Sequence, residues 1–189
     1  MSYIRPANTT DAIKIREIYS PFITDSAVSF ETEVPEVSEI ERRMSAGMER
    51  FPWLVYDDGN IGGYVYASPH RDRAAYQWAC ECSVYLDPAY RGKGVAKHLY
   101  AALFEILKIQ GLVNVYAGIT LPNDNSIKLH EACGFRQMAM YENVGYKKGI
   151  WHNVGWWTLQ LNEPMLQPPP PLKFPELGRN TVAGIIDRY

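Results

Sequence analysis

The sequence predicts an α+β fold in which about seven strands form one sheet flanked by about four helices. The chain of 189 residues is 47% hydrophobic and 21% charged, a composition typical of globular proteins and not of disordered ones. A chain of this length can bury one sizeable core. Apolar residues recur with helical and strand spacings in the order βαα, three strands, αβα and two strands, which is characteristic of an α+β domain.

The first predicted elements are one strand and two helices. Residues 3–6 form the strand, and residues 8–11 offer capping side chains to a helix whose pattern Pro21 is expected to interrupt. A second helix begins at residues 35–39, where an acidic first turn suits the helix dipole, and is expected to end near Gly47.

Three strands follow in the middle of the chain. Two apolar runs within residues 53–67 flank an Asp-Asp-Gly-Asn turn, which is typical of a hairpin. Residues 76–86 form a third long strand, whose alternation puts Cys80 and Cys82 on one face and Glu81 on the other. One carboxylate is therefore expected in mid-strand, opposite the cysteine face.

The last predicted elements alternate between helices and strands. A helix of about five turns ends at Gly111, and a strand spans residues 113–119. A helix over residues 124–133 and strands around residues 135–144 and 151–161 complete the predicted domain.

A change of composition predicts a domain boundary near residue 163. Residues 1–163 contain all the predicted strands and helices, whereas Pro164 and the proline run at 168–171 favour polyproline II or turn conformations. We expect residues 164–189 to be an extension that lies across a partner subunit, covers a pocket or stays mobile.

Charge, cysteine count and histidine spacing exclude several classes of partner. The net charge of -2 provides no field to hold nucleic acid. Three cysteines without metal-type spacing favour a reduced cytoplasm. Because no basic start precedes an apolar stretch and no apolar run is long enough to cross a bilayer, we expect neither secretion nor membrane insertion. The spacing of His70, His98 and His152 predicts no bound metal.

The segment Arg91-Gly92-Lys93-Gly94-Val95-Ala96 lies where a strand gives way to a helix. Free backbone amides, the positive helix end and two cationic side chains suit this segment to a phosphate group. It is not a Walker A loop, because Gly94 follows Lys93 where Ser or Thr is needed. It is not a dinucleotide fingerprint, because Lys97 stands at the third glycine. An ordinary helix start with turn glycines is the alternative interpretation.

Two later motifs accompany this loop, namely Asn123-Asp124-Asn125-Ser126 and the helix end Leu129-His130-Glu131-Ala132-Cys133-Gly134-Phe135. Together with Arg-x-x-Gly-x-Ala, they resemble the GCN5-related N-acetyltransferases (GNAT) over residues 3–161. The resemblance implies a mixed, mostly antiparallel, twisted sheet that is splayed at the cofactor strand, with acetyl-CoA as the co-substrate. It also implies a set of cofactor-binding residues, which are Val84, Tyr85, Leu86, Arg91, Gly92, Lys93, Gly94, Val95, Ala96, Asn123, Asn125 and Ser126.

Five segments match one branch of that family more closely: Val28-Ser29-Phe30-Glu31-Thr32, Glu81-Cys82-Ser83-Val84-Tyr85, Pro122-Asn123-Asp124, Leu129-His130-Glu131 and Gly145-Tyr146-Lys147-Lys148-Gly149-Ile150-Trp151-His152-Asn153-Val154. They resemble the phosphinothricin and methionine sulfoximine N-acetyltransferases. The resemblance implies acetylation of the α-amine of a small amino-acid analogue by direct attack in a ternary complex. Acetylation of a different amine, such as an amino acid, a polyamine or a peptide N-terminus, and a non-catalytic CoA-binding module are the alternatives.

Glu81, His130 and Tyr85 are the candidate catalytic residues. N-acetylation requires an amine stripped of its extra proton, and a carboxylate held inside a sheet can serve as the general base. A solvent-facing Glu or a structural ion pair is the alternative, but Glu81 matches the branch's proposed base. His130 stands where many relatives carry a tyrosine proton donor. It is a second candidate, as donor or base, and a packed or capping helix residue is the alternative. Tyr85, on the Glu81 face, is another candidate donor or a sheet aromatic.

Substrate contacts are expected from two loops. Arg71 and Arg73 are two residues apart, and their guanidinium groups can bind an amino-acid carboxylate, although solvated loop charge is the alternative. The resemblance favours Arg73 and Tyr76 as substrate contacts, together with Phe30 and Glu31 from the early loop.

A late segment is expected to close the substrate pocket. The resemblance implies this position for Lys147, Trp151 and Val154, which in family members can come from the other subunit of a dimer. Each of these residues can instead belong to the core or to an interface. We therefore expect a homodimer.

Overall fold

The computed structural model describes residues 3–189, which form one seven-stranded sheet and five α-helices. The strands are β1 (Tyr3–Pro6), β2 (Trp53–Asp57), β3 (Ile61–Pro69), β4 (Ala79–Leu86), β5 (Asn114–Thr120), β6 (Arg136–Lys147) and β7 (Ile150–Gln160). The helices are α1 (Ala12–Thr24), α2 (Val37–Met48), α3 (Val95–Gln110), α4 (Asp124–Ala132) and α5 (Arg179–Ile186). The predicted α+β class is confirmed, and α5 adds a helix to the predicted number.

The sheet divides at its centre. Its strand order is β1-β2-β3-β4-β5-β7-β6, and every neighbouring pair is antiparallel except β4 and β5. The parallel pair keeps register from Ala79 opposite Asn114 only as far as Glu81 opposite Tyr116. Beyond that point the two strands separate, which is the splay predicted for the cofactor strand.

Two apolar layers cover the sheet. On one face α3 packs on β2, β3 and β4, and Cys80 and Cys82 are buried in this core with Leu99 and Leu103. On the other face α1 and α2 pack over β2 and β3, in a second cluster that includes Tyr64. Strand alternation therefore puts Glu81 on the face opposite the two cysteines, as predicted, and this is the side covered by α1 and α2.

Two predicted boundaries are wrong. Helix α1 continues through Pro21 to Thr24, because the Asp25 N–H donates to the Pro21 carbonyl at 3.0 Å and extends the last turn. The loss of one N–H donor at Pro21 therefore does not end the helix. Strand β4 begins at Ala79 because residues 74–76 form a short 3-10 turn that reverses the chain before the strand.

The residues after 163 pack back against the sheet and α3. The Leu172 N–H donates to the Gln110 carbonyl at 2.8 Å, and the Trp78 indole N–H donates to the Pro169 carbonyl at 2.9 Å. Helix α5 then contacts α3 and β1, and its apolar residues Val182, Ile185 and Ile186 are buried in the α3 core. Between residues 3 and 189 no helix combines the length and apolarity needed to cross a membrane.

Candidate active site

A cleft of about 1220 Å³ opens where β4 and β5 separate. Its walls come from the end of α1, the second half of β4, the start of α3, the end of β5 and α4. Most of the predicted cofactor residues line it, namely Val84, Tyr85, Leu86, Arg91, Gly92, Gly94, Val95, Ala96, Asn123, Asn125 and Ser126. Lys93 does not line the cleft, and its ammonium lies 5.6 Å from the centre of the Tyr90 ring.

The second half of β4 presents unpaired backbone groups to the cleft. The Asp87 N–H donates to the Gly62 carbonyl, so hydrogen bonds to β3 fall on odd-numbered residues of β4. Val84 and Leu86 therefore direct their N–H groups toward β5, which no longer pairs with β4 at this level. Extended backbone of this kind can pair with the amide groups of a pantetheine chain.

The loop before α3 is shaped to receive an anion. Gly92 and Gly94 have φ angles of 73° and 84°, a left-handed conformation that favours glycine. No side chain caps the N-terminus of α3, so its first N–H groups are available to a ligand. The Arg91 guanidinium lies 5.2 Å from the Phe22 ring centre and adds positive charge to the cleft wall. These features fit the pyrophosphate of a CoA thioester.

The α4 side of the cleft begins with an asparagine cap. The Asn123 Oδ1 accepts a hydrogen bond from the Ser126 N–H at 3.2 Å, which orients the first turn of α4. Asn125 and Ser126 line the cleft beside this cap. Asn123 therefore acts locally as the residue that starts the helix.

Glu81 is held by contacts to one of its two carboxylate oxygens. Its Oε1 lies 2.9 Å from His70 Nδ1 and 3.6 Å from an Arg71 guanidinium nitrogen. The side chain keeps 30% of its surface exposed. Glu81 is thus a partly exposed carboxylate at the last residue of β4 that pairs with β5. Sequence reasoning missed His70, although its position directly after the strand that pairs with β4 was a usable signal.

His130 is buried and both of its ring nitrogens have partners. Nδ1 lies 2.7 Å from the Ser126 carbonyl oxygen and Nε2 lies 2.9 Å from the Tyr100 hydroxyl. Because a carbonyl only accepts, Nδ1 carries the proton and Nε2 accepts from Tyr100. Burial lowers the pKa of His130, which favours the neutral ring. This geometry does not favour direct proton transfer from His130 to a ligand in the cleft.

Tyr85 lines the cleft but belongs to an aromatic cluster. Its ring packs edge-on against Tyr19 and Phe22 of α1, with centroids 4.9 and 5.0 Å away. Burial raises the pKa of Tyr85 well above its ordinary value, so its hydroxyl keeps its proton. Tyr85 and Glu81 are four residues apart on one strand, which separates their Cα atoms by about 13 Å.

The first predicted substrate loop lies beside Glu81. The Arg71 guanidinium donates to the His70 carbonyl at 2.8 Å and also approaches Glu81. Arg73 is exposed, and its side chain makes no hydrogen bond or ion pair within residues 3–189, although its carbonyl accepts from the Tyr76 N–H. The Tyr76 ring contacts His70, with the two ring centres 6.0 Å apart. All three predicted residues therefore lie on the loop between β3 and β4, the strand that carries the base candidate.

The second predicted loop is anchored from several sides. Glu31 accepts a hydrogen bond from the Tyr19 hydroxyl and pairs with Arg43. The Phe30 ring lies against Gly145 of β6. Lys147 is buried, and its ammonium donates to the Ile23 and Ser29 carbonyls at 2.7 and 2.6 Å. The two hydrogen bonds of Lys147 therefore connect β6 to the end of α1 and to the loop that follows it. In this arrangement Lys147 is a core residue.

The remaining predicted residues lie on β7. Val154 pairs with Thr120, which lines the cleft. Trp151 is 61% exposed and packs against Tyr146, at the far end of the β6–β7 hairpin. The structure thus puts Val154 next to a cleft residue without making it part of the cleft wall, and it leaves Trp151 on the surface of the described chain. Residues 3–189 contain no cluster of potential metal ligands.

The fold and the cleft define an acetyltransferase of the GNAT class, and a family model described as "Acetyltransferase (GNAT) domain" matches residues 4–156. The chain belongs to this family. It is 36% identical over 171 residues to the phosphinothricin N-acetyltransferase of Streptomyces viridochromogenes, covering 90% of this chain and 92% of that one. It is 31% identical over 165 residues to the L-methionine sulfoximine/L-methionine sulfone acetyltransferase of Salmonella typhimurium, covering 85% and 95%.

A solved structure supports the same assignment. The phosphinothricin acetyltransferase of Sinorhizobium meliloti in complex with acetyl-CoA superposes with a TM-score of 0.84 and 29% identity, covering 92% of this chain and 98% of that one. The predicted family and the branch resemblance are therefore confirmed, and acetyl-CoA, the predicted co-substrate, is the ligand in that solved structure.

Proposed function

We propose that this protein acetylates the α-amine of a small amino-acid analogue of the phosphinothricin or methionine sulfoximine type. The observation that carries the proposal is the position of Glu81. Its carboxylate lies at the point where the central strands separate, on a loop-facing surface that also carries Arg71. A base beside the cleft and nearby cations that can bind a carboxylate suit an amino-acid acceptor.

One region of the chain would bind the cofactor, and a second would bind the acceptor and remove its proton. Acetyl-CoA supplies an activated acyl group when bound. The Gly92–Gly94 loop and the α3 N-terminus would hold its diphosphate, and the Val84 and Leu86 amides its pantetheine arm. Glu81 would take the proton from the acceptor ammonium, and Arg73 with Tyr76 would hold the acceptor carboxylate and side chain.

Two further steps need donors from the protein. The N–H groups of Val84 and Leu86 are directed into the cleft, and whichever of them is not bonded to the pantetheine arm would stabilise negative charge on the acyl oxygen. The departing thiolate would take its proton from solvent or from Tyr85. The neutral His130 ring cannot supply it through Tyr100, because its one proton is on Nδ1 and its Nε2 accepts from the Tyr100 hydroxyl. Tyr85 lines the cleft and keeps its proton, so it is the side-chain donor that we propose.

The test is release of free CoA thiol from acetyl-CoA in the presence of an amine panel. The panel contains phosphinothricin, methionine sulfoximine, methionine sulfone, the ordinary amino acids, a polyamine and a peptide with a free N-terminus. We expect the sulfoximine, sulfone or phosphinic compounds to give the highest kcat/KM. A preference for the polyamine or the peptide contradicts the proposed acceptor class. If acetyl-CoA binds but no amine in the panel causes release of the CoA thiol, the result supports a non-catalytic module.

We also propose that the protein forms a homodimer through the β6–β7 hairpin. β6 is the outermost strand of the sheet, and the hairpin exposes large apolar side chains. They are Met138, Met140, Tyr141, Val144, Tyr146, Ile150 and Trp151. An apolar edge strand of this kind favours pairing with another chain.

Light scattering during size-exclusion chromatography tests this surface. We expect twice the 21.5 kDa chain mass for the wild type and a shift to the single-chain mass for Tyr146→Lys. Ile109→Lys, at an exposed apolar residue of α3, is the matched control and should keep the dimer mass. A monomeric wild type contradicts the proposal.

The free thiols of Cys80, Cys82 and Cys133 suit a reducing compartment, and we propose the cytoplasm.

A further inference from the structure

His70 stands directly after β3, and its ring is directed at the proposed base. The β3–β4 register pairs Ser68 with Glu81, which brings the residue after Pro69 to the same carboxylate. His70 Nδ1 lies 2.9 Å from Glu81 Oε1. Because an ionised carboxylate only accepts hydrogen bonds, Nδ1 carries the proton and donates it to Glu81.

Aromatic side chains fix the orientation of this ring. The His70 ring centre lies 4.5 Å from that of Tyr116 on β5, 6.0 Å from that of Tyr76 and 6.2 Å from that of Trp156 on β7. Only 17% of the His70 side chain is exposed. Nε2 makes no hydrogen bond to any residue between 3 and 189, so the ring's one protein hydrogen bond is to Glu81.

The contacts to Glu81 are asymmetric. His70 and Arg71 both approach Oε1, and Oε2 has no hydrogen-bond or ion-pair partner within residues 3–189. A carboxylate held by one oxygen has a defined rotamer and leaves the other oxygen available to a ligand.

We propose that His70 is a positioning residue for acetyl transfer, whose Nδ1–H holds Oε1 of Glu81 so that Oε2 accepts the proton of the acceptor ammonium. The inference rests on the proposed function, in which Glu81 is the general base. In this step the N–H bond of the ammonium breaks and an O–H bond forms at Oε2, while the Nδ1–H bond stays intact. The product amine keeps its electron pair for attack on the acyl carbon.

The arrangement predicts an effect on the pH profile. The titratable or charged groups that face His70 are Glu81 on β4, Arg71 and Tyr76 from its own loop, and Tyr116 on β5. A hydrogen bond donated to a carboxylate favours its charged form. Loss of the His70 donor therefore moves the acid limb of the kcat profile to higher pH.

Two substitutions separate the hydrogen bond from the packing. His70→Phe keeps a ring between Tyr76 and Tyr116 but removes the donor, and we expect kcat to fall by about ten- to one-hundred-fold, as for a lost hydrogen bond to a charged group. His70→Asn places an amide N–H near the Nδ1 position and should recover most of kcat. We expect the KM for acetyl-CoA to change less than about twofold in both, because the cofactor cleft does not include His70.

A double-mutant cycle completes the test. If His70 acts through Glu81, His70→Phe causes no further loss of kcat in a Glu81→Gln background. Equal losses in both backgrounds, or a His70→Phe enzyme with wild-type kcat and acid limb, overturn the inference. If His70→Phe does not fold, His70→Ala assayed with and without added imidazole replaces it, and failure of imidazole to restore kcat overturns the inference equally.

The same measurements distinguish the two proposals. A Glu81→Gln enzyme with unchanged activity contradicts the proposed function and this inference together. An impaired Glu81→Gln enzyme beside an unimpaired His70→Phe enzyme contradicts this inference alone.

Discussion

Glu81 and Tyr116 form the last register pair between β4 and β5 before the two strands separate. The candidate base is therefore held by a complete sheet on its N-terminal side, where Ala79 and Cys80 still pair with β5. On its C-terminal side the strands leave room for a ligand. This position combines a rigid backbone with a place directly before Cys82 and Ser83, which line the cleft, and a general base has to be held beside its substrate in this way.

Replacement of the base gives the first prediction. We expect Glu81→Gln to lower kcat by about two to four orders of magnitude, because the amide cannot accept the ammonium proton. The affinity for acetyl-CoA should stay close to that of the wild type, since Glu81 is not part of the cleft wall. Steady-state kinetics and acetyl-CoA titration measure the two quantities. An unchanged rate at neutral pH removes Glu81 from the mechanism.

The loop arginines give the second prediction. Arg73 is exposed and its guanidinium has no partner within residues 3–189, so this group is available to an acceptor carboxylate. We expect Arg73→Ala to raise the KM by about tenfold for acceptors with a carboxylate. Amines without a carboxylate serve as the control acceptors and should keep their KM. An equal rise in KM for both kinds of amine would contradict a role for Arg73 in binding the acceptor carboxylate.

Much of the fold was predictable because periodicity and turn chemistry act locally. The hairpin before β3, the glycine end of α3 and the opposite faces of Cys80 and Glu81 all follow from nearby residues. His70 was missed because its contact with Glu81 depends on the β3–β4 register. Lys147 matched a pocket position, yet its hydrogen bonds to Ile23 and Ser29 can be seen only in three dimensions.

Helix α5 was also missed, and for a related reason. Its residues Val182, Ile185 and Ile186 are buried, but the short apolar run has no clear period in the sequence. Its environment comes from α3 and β1, which are distant in the chain. Because tertiary packing rather than a local sequence pattern stabilises a short helix of this kind, the sequence alone did not predict it.

The contact between Phe30 and Gly145 gives the third prediction. A Cβ atom at Gly145 would lie 2.2 Å from the Phe30 ring, so an alanine forces the ring to move. We expect Gly145→Ala to lower the free energy of unfolding by about 1 kcal/mol or more. In a Phe30→Ala background the same change should cost less, because the clashing ring is absent. Urea denaturation of the four proteins measures the coupling, and additive effects would contradict the contact.

Burial of His130 gives the fourth prediction, which concerns pH. Burial lowers the pKa of His130 in the folded protein relative to the ordinary value of 6.5. Below pH 6.5 the unfolded chain therefore binds more protons at this residue than the folded chain does. Stability contributed by the neutral ring is present above that pH and falls as the pH decreases toward the folded-state pKa, at up to about 1.4 kcal/mol per pH unit.

A substitution isolates this contribution from that of other groups. His130→Asn is expected to be less stable at pH 7.5, because the Tyr100 hydroxyl loses its acceptor, but to lose less stability between pH 7.5 and 5 than the wild type. Urea denaturation at several pH values gives both slopes. Equal slopes would show that His130 has the same proton affinity in both states.

The C-terminal helix gives the fifth prediction. Ile185 is 3% exposed and lies in the α3 core, whereas Leu166 in the preceding proline-rich segment is 99% exposed. Truncation of a buried Ile removes apolar contacts and leaves a cavity, so Ile185→Ala should lower the free energy of unfolding by about 2–4 kcal/mol. Leu166→Ala is the control and should change the free energy of unfolding by less than about 0.5 kcal/mol.

Deletion of residues 164–189 should accordingly destabilise each subunit, because it exposes the α3 surface that α5 covers. Aggregation or a lower melting temperature is the readout. A deletion variant with wild-type stability and a lower oligomeric mass would instead assign the tail to the contact between subunits.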